Sequence, residues 1–158
     1  MNIKEYRKTL KITSTEAADA ISIPLRTYMR YEKDANYGNE LKRKAIYDSL
    51  KATYEITEDK GILTKDVIIE KCKKVFEKYS NQISYCYLFV SYAKGYAKDT
   101  SDVDLCIETS LTGLNFVGLI EELRMELHKR VDLLRLSDMC NNIELVSEIM
   151  KDGIKIYG

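Results

Sequence analysis

The chain has 158 residues, 45% of them hydrophobic, with 25 basic and 25 acidic side chains and a formal net charge of zero. That length admits one ordinary domain or two small ones with real cores. Charge balance excludes a global field toward nucleic acid or membrane, so any basic surface has to be local, and no apolar run approaches the roughly 18 residues of a membrane span.

The opening stretch MNIKEYRKTLK is charged and amphipathic, without the apolar core or cleavage site of a secretion signal, so a cytoplasmic protein is expected. Four scattered cysteines (Cys72, Cys86, Cys106, Cys140), with no CxxC and one histidine, argue against a zinc site and for reduced, mostly buried thiols.

In chain order, residues 2–11 read as a helix, and 13–21 as a second with Thr13 or Ser14 as N-cap and Glu16 in its first turn. Pro24 suits the first turn of a third helix. Residues 36–38 break it, and 40–56 resume a helix with Leu41, Ala45, Ile46, Leu50 and Tyr54 on one face. The polar stretch TEDKG, 57–61, reads as a boundary. Beyond it, 65–79 is helical with Val67, Ile68, Cys72, Val75 and Phe76 inward. Residues 83–90 and 103–108 are rich in strand formers, 111–130 is a helix, 131–137 a third strand, and 141–153 a last helix before a short edge strand at 154–157. The expected fold class is α+β. An all-helical domain over 1–57 precedes a small mixed-sheet domain over 62–158.

The stretch that carries chemistry is VSYAKGYAKDTSDVDLCIE, 90–108. Side chains two apart on a strand point the same way, so Asp102 and Asp104 project together while Val103 and Leu105 turn to the other face. Adjacent carboxylates repel, and one is driven neutral unless a cation holds them. Mg²⁺ resolves that conflict, binding one or two carboxylates plus substrate phosphates. Asp132 opens the later strand and reaches the same patch if that strand lies beside 103–108. The small-residue turn at 91–95 can offer backbone N–H groups and the Ser91 hydroxyl to phosphate oxygens, with Lys94 adding positive charge. Together these describe nucleotidyl transfer. His128, beside Lys129 and Arg130, is read as a cation favoured at a helix C-terminus rather than as a catalyst.

The ensemble resembles the minimal nucleotidyltransferase (MNT) family of the DNA polymerase β superfamily. The family's Gly-Ser, ten residues, Asp-x-Asp signature appears as Ser91, residues 92–101, then Asp102-Val103-Asp104. Its Ala-Arg-Gly appears as Ala93-Lys94-Gly95, and its third acidic position, in a Val-Asp-Leu strand, as Asp132. The resemblance implies that Asp102, Asp104 and Asp132 are catalytic metal ligands and that Ser91, Lys94 and Gly95 bind the nucleotide. Mg²⁺ would be the cofactor and ATP the substrate. Val90 stands where the family has glycine. Glycine there permits close approach to phosphate and unusual φ, which a β-branched side chain crowds.

TSTEAADAISIPLRTYMRYEKD, 13–34, is similar to a lambda-repressor-type (XRE) helix-turn-helix, with Ala18 at the helix approach, Tyr28 and Tyr31 inward and Glu32 following. The resemblance places the third helix in the DNA major groove with Leu25, Arg26, Met29 and Arg30 facing bases or backbone, as a dimer on half-sites; a helical protein-interaction domain is the alternative. A DNA-binding head on an MNT domain resembles the antitoxin of a HEPN/MNT toxin–antitoxin pair. The implied function is AMP transfer from ATP to a tyrosine of the partner HEPN-domain ribonuclease toxin, with autoregulation at operator DNA. Implied assemblies are a homodimer or a hetero-oligomer with the toxin. Two alternatives stand beside it: an antitoxin and repressor that Val90 has disabled as an enzyme, and a nucleotidyltransferase acting on a small molecule.

Overall fold

The computed structural model describes residues 2–158, and the chain divides into two compact units, Met1–Glu55 and Ile56–Gly158. The first is built of helices α1 (Ile3–Thr9), α2 (Ser14–Ala20), α3 (Leu25–Lys33) and α4 (Glu40–Tyr54). Polar caps start three of them. Asn2 accepts from the Glu5 N–H, Asn39 from the Lys42 N–H, and Thr13 forms a reciprocal capping box with Glu16. Pro24 occupies the N-cap position of α3 rather than its first turn.

Ile3, Ala17, Ala18, Tyr28, Tyr31, Ile46 and Leu50 form the core of this unit. The buried side of α4 is narrower than its apolar residues suggest: Ile46 and Leu50 are buried, whereas Leu41 is 75% exposed and Ala45 is exposed too. Leu41 and Ala45 form their own i, i+4 row, turned about 100° from the row of Ile46 and Leu50, and only the second row meets the core. Arg7 and Glu32 pair beneath the surface, Nε to Oε1 at 2.6 Å, and Arg7 Nη1 also donates to the Ile12 carbonyl at 2.7 Å.

The second unit runs α5 (Lys65–Phe76), β1 (Ile83–Phe89), α6 (Val90–Lys94), β2 (Val103–Thr109), α7 (Gly113–Leu127), β3 (Val131–Arg135), α8 (Ile143–Asp152) and β4 (Ile154–Tyr157). Strand order is β3-β2-β1-β4, with β1 antiparallel to both β2 and β4 and β2 parallel to β3. The sheet is therefore mixed and the chain is α+β. One face carries Cys86, Leu88, Leu105, Ile107 and Leu133 into a core closed by α5 and α7. The other face carries Phe89 and Cys106 against Met139 and Ile149 of the α8 side. Burial pushes the Cys72 thiol up to about 12 and the Cys86 thiol well above its ordinary value; Cys140 is exposed.

Three elements are shorter than their sequence patterns suggest. Residues 136–138 leave the third strand as a 3-10 turn, and α8 begins at Ile143 because Asn142 caps it through the Leu145 N–H. The expected helix over 111–130 also stops at Leu127, since His128 adopts a left-handed conformation with φ 54°. Lys129 and Arg130 are thus not helix-terminal cations, which corrects the sequence reading of this run. Among the described residues no helix is long and apolar enough to cross a membrane.

Candidate active site

β2 and β3 lie parallel and in register, with Asp104 opposite Asp132, followed by Leu105 opposite Leu133 and Cys106 opposite Leu134. Neighbouring strands are about 4.8 Å apart, so the two carboxylates leave adjacent backbones on the same face of the sheet. That face is the one covered further along by Cys106, Met139 and α8. Asp104 is half-buried and Asp132 exposed. Burial first, then the charges of Asp132 and Asp102, push the Asp104 carboxyl up to about 6. The protein holds a carboxylate here at an electrostatic cost, as a cation site would require.

Asp102 precedes β2 and is held differently. Its Oδ1 accepts from Arg130 Nε at 3.1 Å, and the same guanidinium reaches Asp59 at 3.4 Å and Glu58 at 3.9 Å. Arg130 immediately precedes β3 and stands two residues before Asp132; by sequence pattern it is helix-end charge, and only the fold brings it to Asp102. Among the described residues, no three His, Cys, Asp or Glu side chains stand together as a ready metal cage. The arrangement instead offers two in-register carboxylates, Asp104 and Asp132, with Asp102 alongside under an arginine. This fits a divalent ion that takes one or two protein carboxylates and fills its shell from water and phosphate.

The turn between β1 and β2 is a single helical turn, α6, entered from the extended Phe89 and ended by Gly95 at φ 83°. Ser91 is buried at its start. Val90 has φ 58°, the left-handed region that L-residues with branched side chains avoid at a cost of about 1–2 kcal/mol. The backbone therefore keeps a glycine-like conformation at a position occupied by valine. Lys94 does not stand free: its Nζ contacts Glu148 Oε1 at 2.5 Å and Asp152 Oδ2 at 3.7 Å, both on α8. The positive charge of the turn is already paired.

Comparison with known proteins decides the family. Residues 70–158 match the model described as "Polymerase beta, Nucleotidyltransferase". The chain belongs to that family. The nucleotidyltransferase family generally uses a divalent metal and an ATP-like substrate, in keeping with the paired carboxylates. No curated protein matches the chain. Among solved structures, a chain from a toxin–antitoxin crystal with AMP-PNP is similar at 24% identity and TM-score 0.50, over 57% of this chain and 73% of its own length. A tri-AMPylated Shewanella oneidensis HEPN toxin in complex with MNT antitoxin gives 21% identity and TM-score 0.46, over 59% and 71%. The MntA-HepT toxin–antitoxin gives 20% and 0.46, over 60% and 73%. These likenesses concern the fold.

In the first unit, Leu25, Arg26, Met29 and Arg30 all lie on the exposed side of α3, joined by Lys33 around one shallow surface. Tyr28 and Tyr31 of the same helix are buried.

Proposed function

We propose that this nucleotidyltransferase is the antitoxin of a HEPN/MNT-type pair and transfers AMP from ATP to a tyrosine of its partner toxin. The observation that carries the reading is the in-register pairing of Asp104 with Asp132 beside the Ser91 turn. Asp104 and Asp132, with Asp102 once released from Arg130, would hold Mg²⁺. When bound, that ion supplies charge neutralisation for the triphosphate and the leaving pyrophosphate. Asp132, the more exposed carboxylate, is placed to accept the acceptor hydroxyl's proton. Ser91 and the turn ending at Gly95 bind and orient the phosphates. Lys94 serves that turn indirectly, by fastening it to α8. The solved relatives of similar fold come from toxin–antitoxin assemblies, one with AMP-PNP and one with an AMPylated toxin, which is in keeping with this partner.

The first unit supports autoregulation. A capped α2, a tight connection and an α3 that buries two tyrosines while exposing Leu25, Arg26, Met29 and Arg30 suit a helix-turn-helix reading operator DNA as a dimer.

One set of observations favours a second reading. Val90 is in a left-handed conformation, Lys94 is paired, and Asp102 is bound to Arg130, all as expected of an antitoxin that masks its toxin by binding alone. Intact-mass analysis of the operon neighbour after incubation with ATP and Mg²⁺ separates the two. Addition of AMP by the parent protein, lost in Asp104→Asn, supports transfer. No addition by the parent and addition by Val90→Gly supports the binding-only antitoxin. Addition by Asp104→Asn at the parental rate would refute the site.

A further inference from the structure

Lys129 is fully buried, with 0% of its surface exposed, in the segment between α7 and β3. Among the described residues no carboxylate bonds its ammonium. Its acceptors are three backbone carbonyls: Asp99 at 2.5 Å, Lys60 at 3.3 Å and Glu58 at 3.5 Å. An ammonium has three N–H donors and no acceptor, so three carbonyls satisfy it completely. Burying such a charge is costly unless every donor is bonded. Burial draws the ammonium below the ordinary lysine range, and Asp99 and Asp59 act against that.

The segments it joins have little regular structure of their own. Residues 57–60 are closed by an isolated bridge between Thr57 and Lys60. Residues 95–102 contain one tight turn, in which the Lys98 N–H donates to Ser101 Oγ and the Ser101 N–H to the Lys98 carbonyl. Asp99 is three residues before Asp102. Arg130, the next residue, grips the same two segments through the side chains of Asp59 and Asp102. A left-handed His128 turns the chain out of α7 just before this pair.

We infer that Lys129 is a positioning residue for the carboxylate site: its buried ammonium cross-links the 57–60 hairpin to the loop that delivers Asp102. The inference rests on the metal-site reading given above, and goes beyond it by naming what sets the loop. A side chain without the ammonium removes the group that bonds both segments at once; the Lys60 carbonyl keeps the Thr57 N–H, but the tie from 57–60 to the Asp99 carbonyl is lost and the loop is freer to open.

The test compares the full-length parent with Lys129→Met, Lys129→Gln and Leu119→Ala, the last a core change on α7 ten residues before Lys129. The readouts are hydrogen exchange of residues 95–102 and binding of Mn²⁺ alone, followed by its electron paramagnetic resonance signal. Lys129→Met should speed exchange in 95–102 about tenfold and weaken Mn²⁺ about tenfold, the usual scale for losing a group that orients a metal ligand. Leu119→Ala should change neither at a similar loss of thermal stability. Lys129→Gln keeps two donors and gives a folded fallback with a smaller change in the same direction. Unchanged exchange in 95–102 for both lysine variants, or equal changes in Leu119→Ala, would overturn the inference. If Asp104→Asn binds Mn²⁺ like the parent, the metal reading fails, and exchange alone then decides whether Lys129 sets the loop.

Discussion

The two units each contain an arginine–carboxylate pair, and the pairs differ in what surrounds them. Arg7–Glu32 lies within the helical core unit, its side chains 14% and 7% exposed, and Arg7 also bonds the Ile12 carbonyl. Arg130–Asp102 stands at the rim of the sheet, 44% and 49% exposed, and shares its guanidinium with Asp59 and Glu58. The same chemistry is structural in one place and exchangeable in the other. A buried pair cannot be broken without stranding a charge, whereas water or a metal ion can replace a partner at the surface.

The largest effect expected from this contrast is in the helical unit. Glu32→Ala leaves the part-buried Arg7 without its partner and should cost about 2 kcal/mol, between the scales of exposed and buried pairs, visible as loss of cooperative unfolding of residues 2–55 in hydrogen exchange or NMR. A loss under about 1 kcal/mol would mean that Arg7 simply turns to solvent. Next in size is Asp104→Asn, measured in chelator at neutral pH. The folded state raises this carboxyl from 3.8 to about 6, so the charged form opposes folding. That penalty is complete above about pH 6 and vanishes below the unfolded value near 4. Asn should therefore stabilise the metal-free protein by about 1–2 kcal/mol, with partial exposure already discounted, and the gain should fade on acidification. A destabilised Asn variant would show that Asp104 is satisfied without metal.

Val90→Gly is a smaller effect on stability because three contributions offset. It relieves about 1–2 kcal/mol of left-handed strain, adds about 0.5–1 kcal/mol of backbone entropy cost and removes apolar packing against the cluster of Phe89, Cys106, Met139 and Ile149. Thermal melting should move by only about 3 °C, so any gain in AMP transfer would report turn geometry rather than fold stability. The smallest change in stability belongs to Arg130→Ala, because an exposed ion pair contributes little. It should tighten Mn²⁺ binding severalfold by freeing Asp102 and removing a competing cation. Weaker Mn²⁺ binding would instead make Arg130 part of the scaffold, as Arg7 is.

Much of the local structure was legible in the residues. Thr13 or Ser14 as N-cap with Glu16 in the first turn announces α2, the Val-Ile-Cys-Val-Phe spacing of 67–76 announces α5, and β-formers at 83–90 and 103–108 announce the two central strands, although Val90 falls in α6 rather than in β1. These signals are short-range: capping, helical periodicity and strand alternation depend on neighbours within a few residues. The spacing from Ser91 to Asp102 and Asp104 was likewise readable, because it lies within one strand–turn–strand segment.

Other features depend on partners remote in sequence, and no local pattern encodes them. Parallel pairing of β2 with β3 sets Asp132 against Asp104, a juxtaposition across 28 residues made by the α7 crossover. The pairing of Lys94 with α8 and the rotation of Leu41 out of the core are decided by which helix packs where. The sharpest case is the run His128-Lys129-Arg130. By composition it is a helix-terminal cluster of cations. Only the left-handed turn at His128 and the approach of two loops convert it into one buried ammonium and one surface guanidinium, each gripping the segment that leads to Asp102. Sequence determined which charges this protein carries. Tertiary structure decided which of them meet water, because burial and hydrogen-bond satisfaction are properties of the assembled chain.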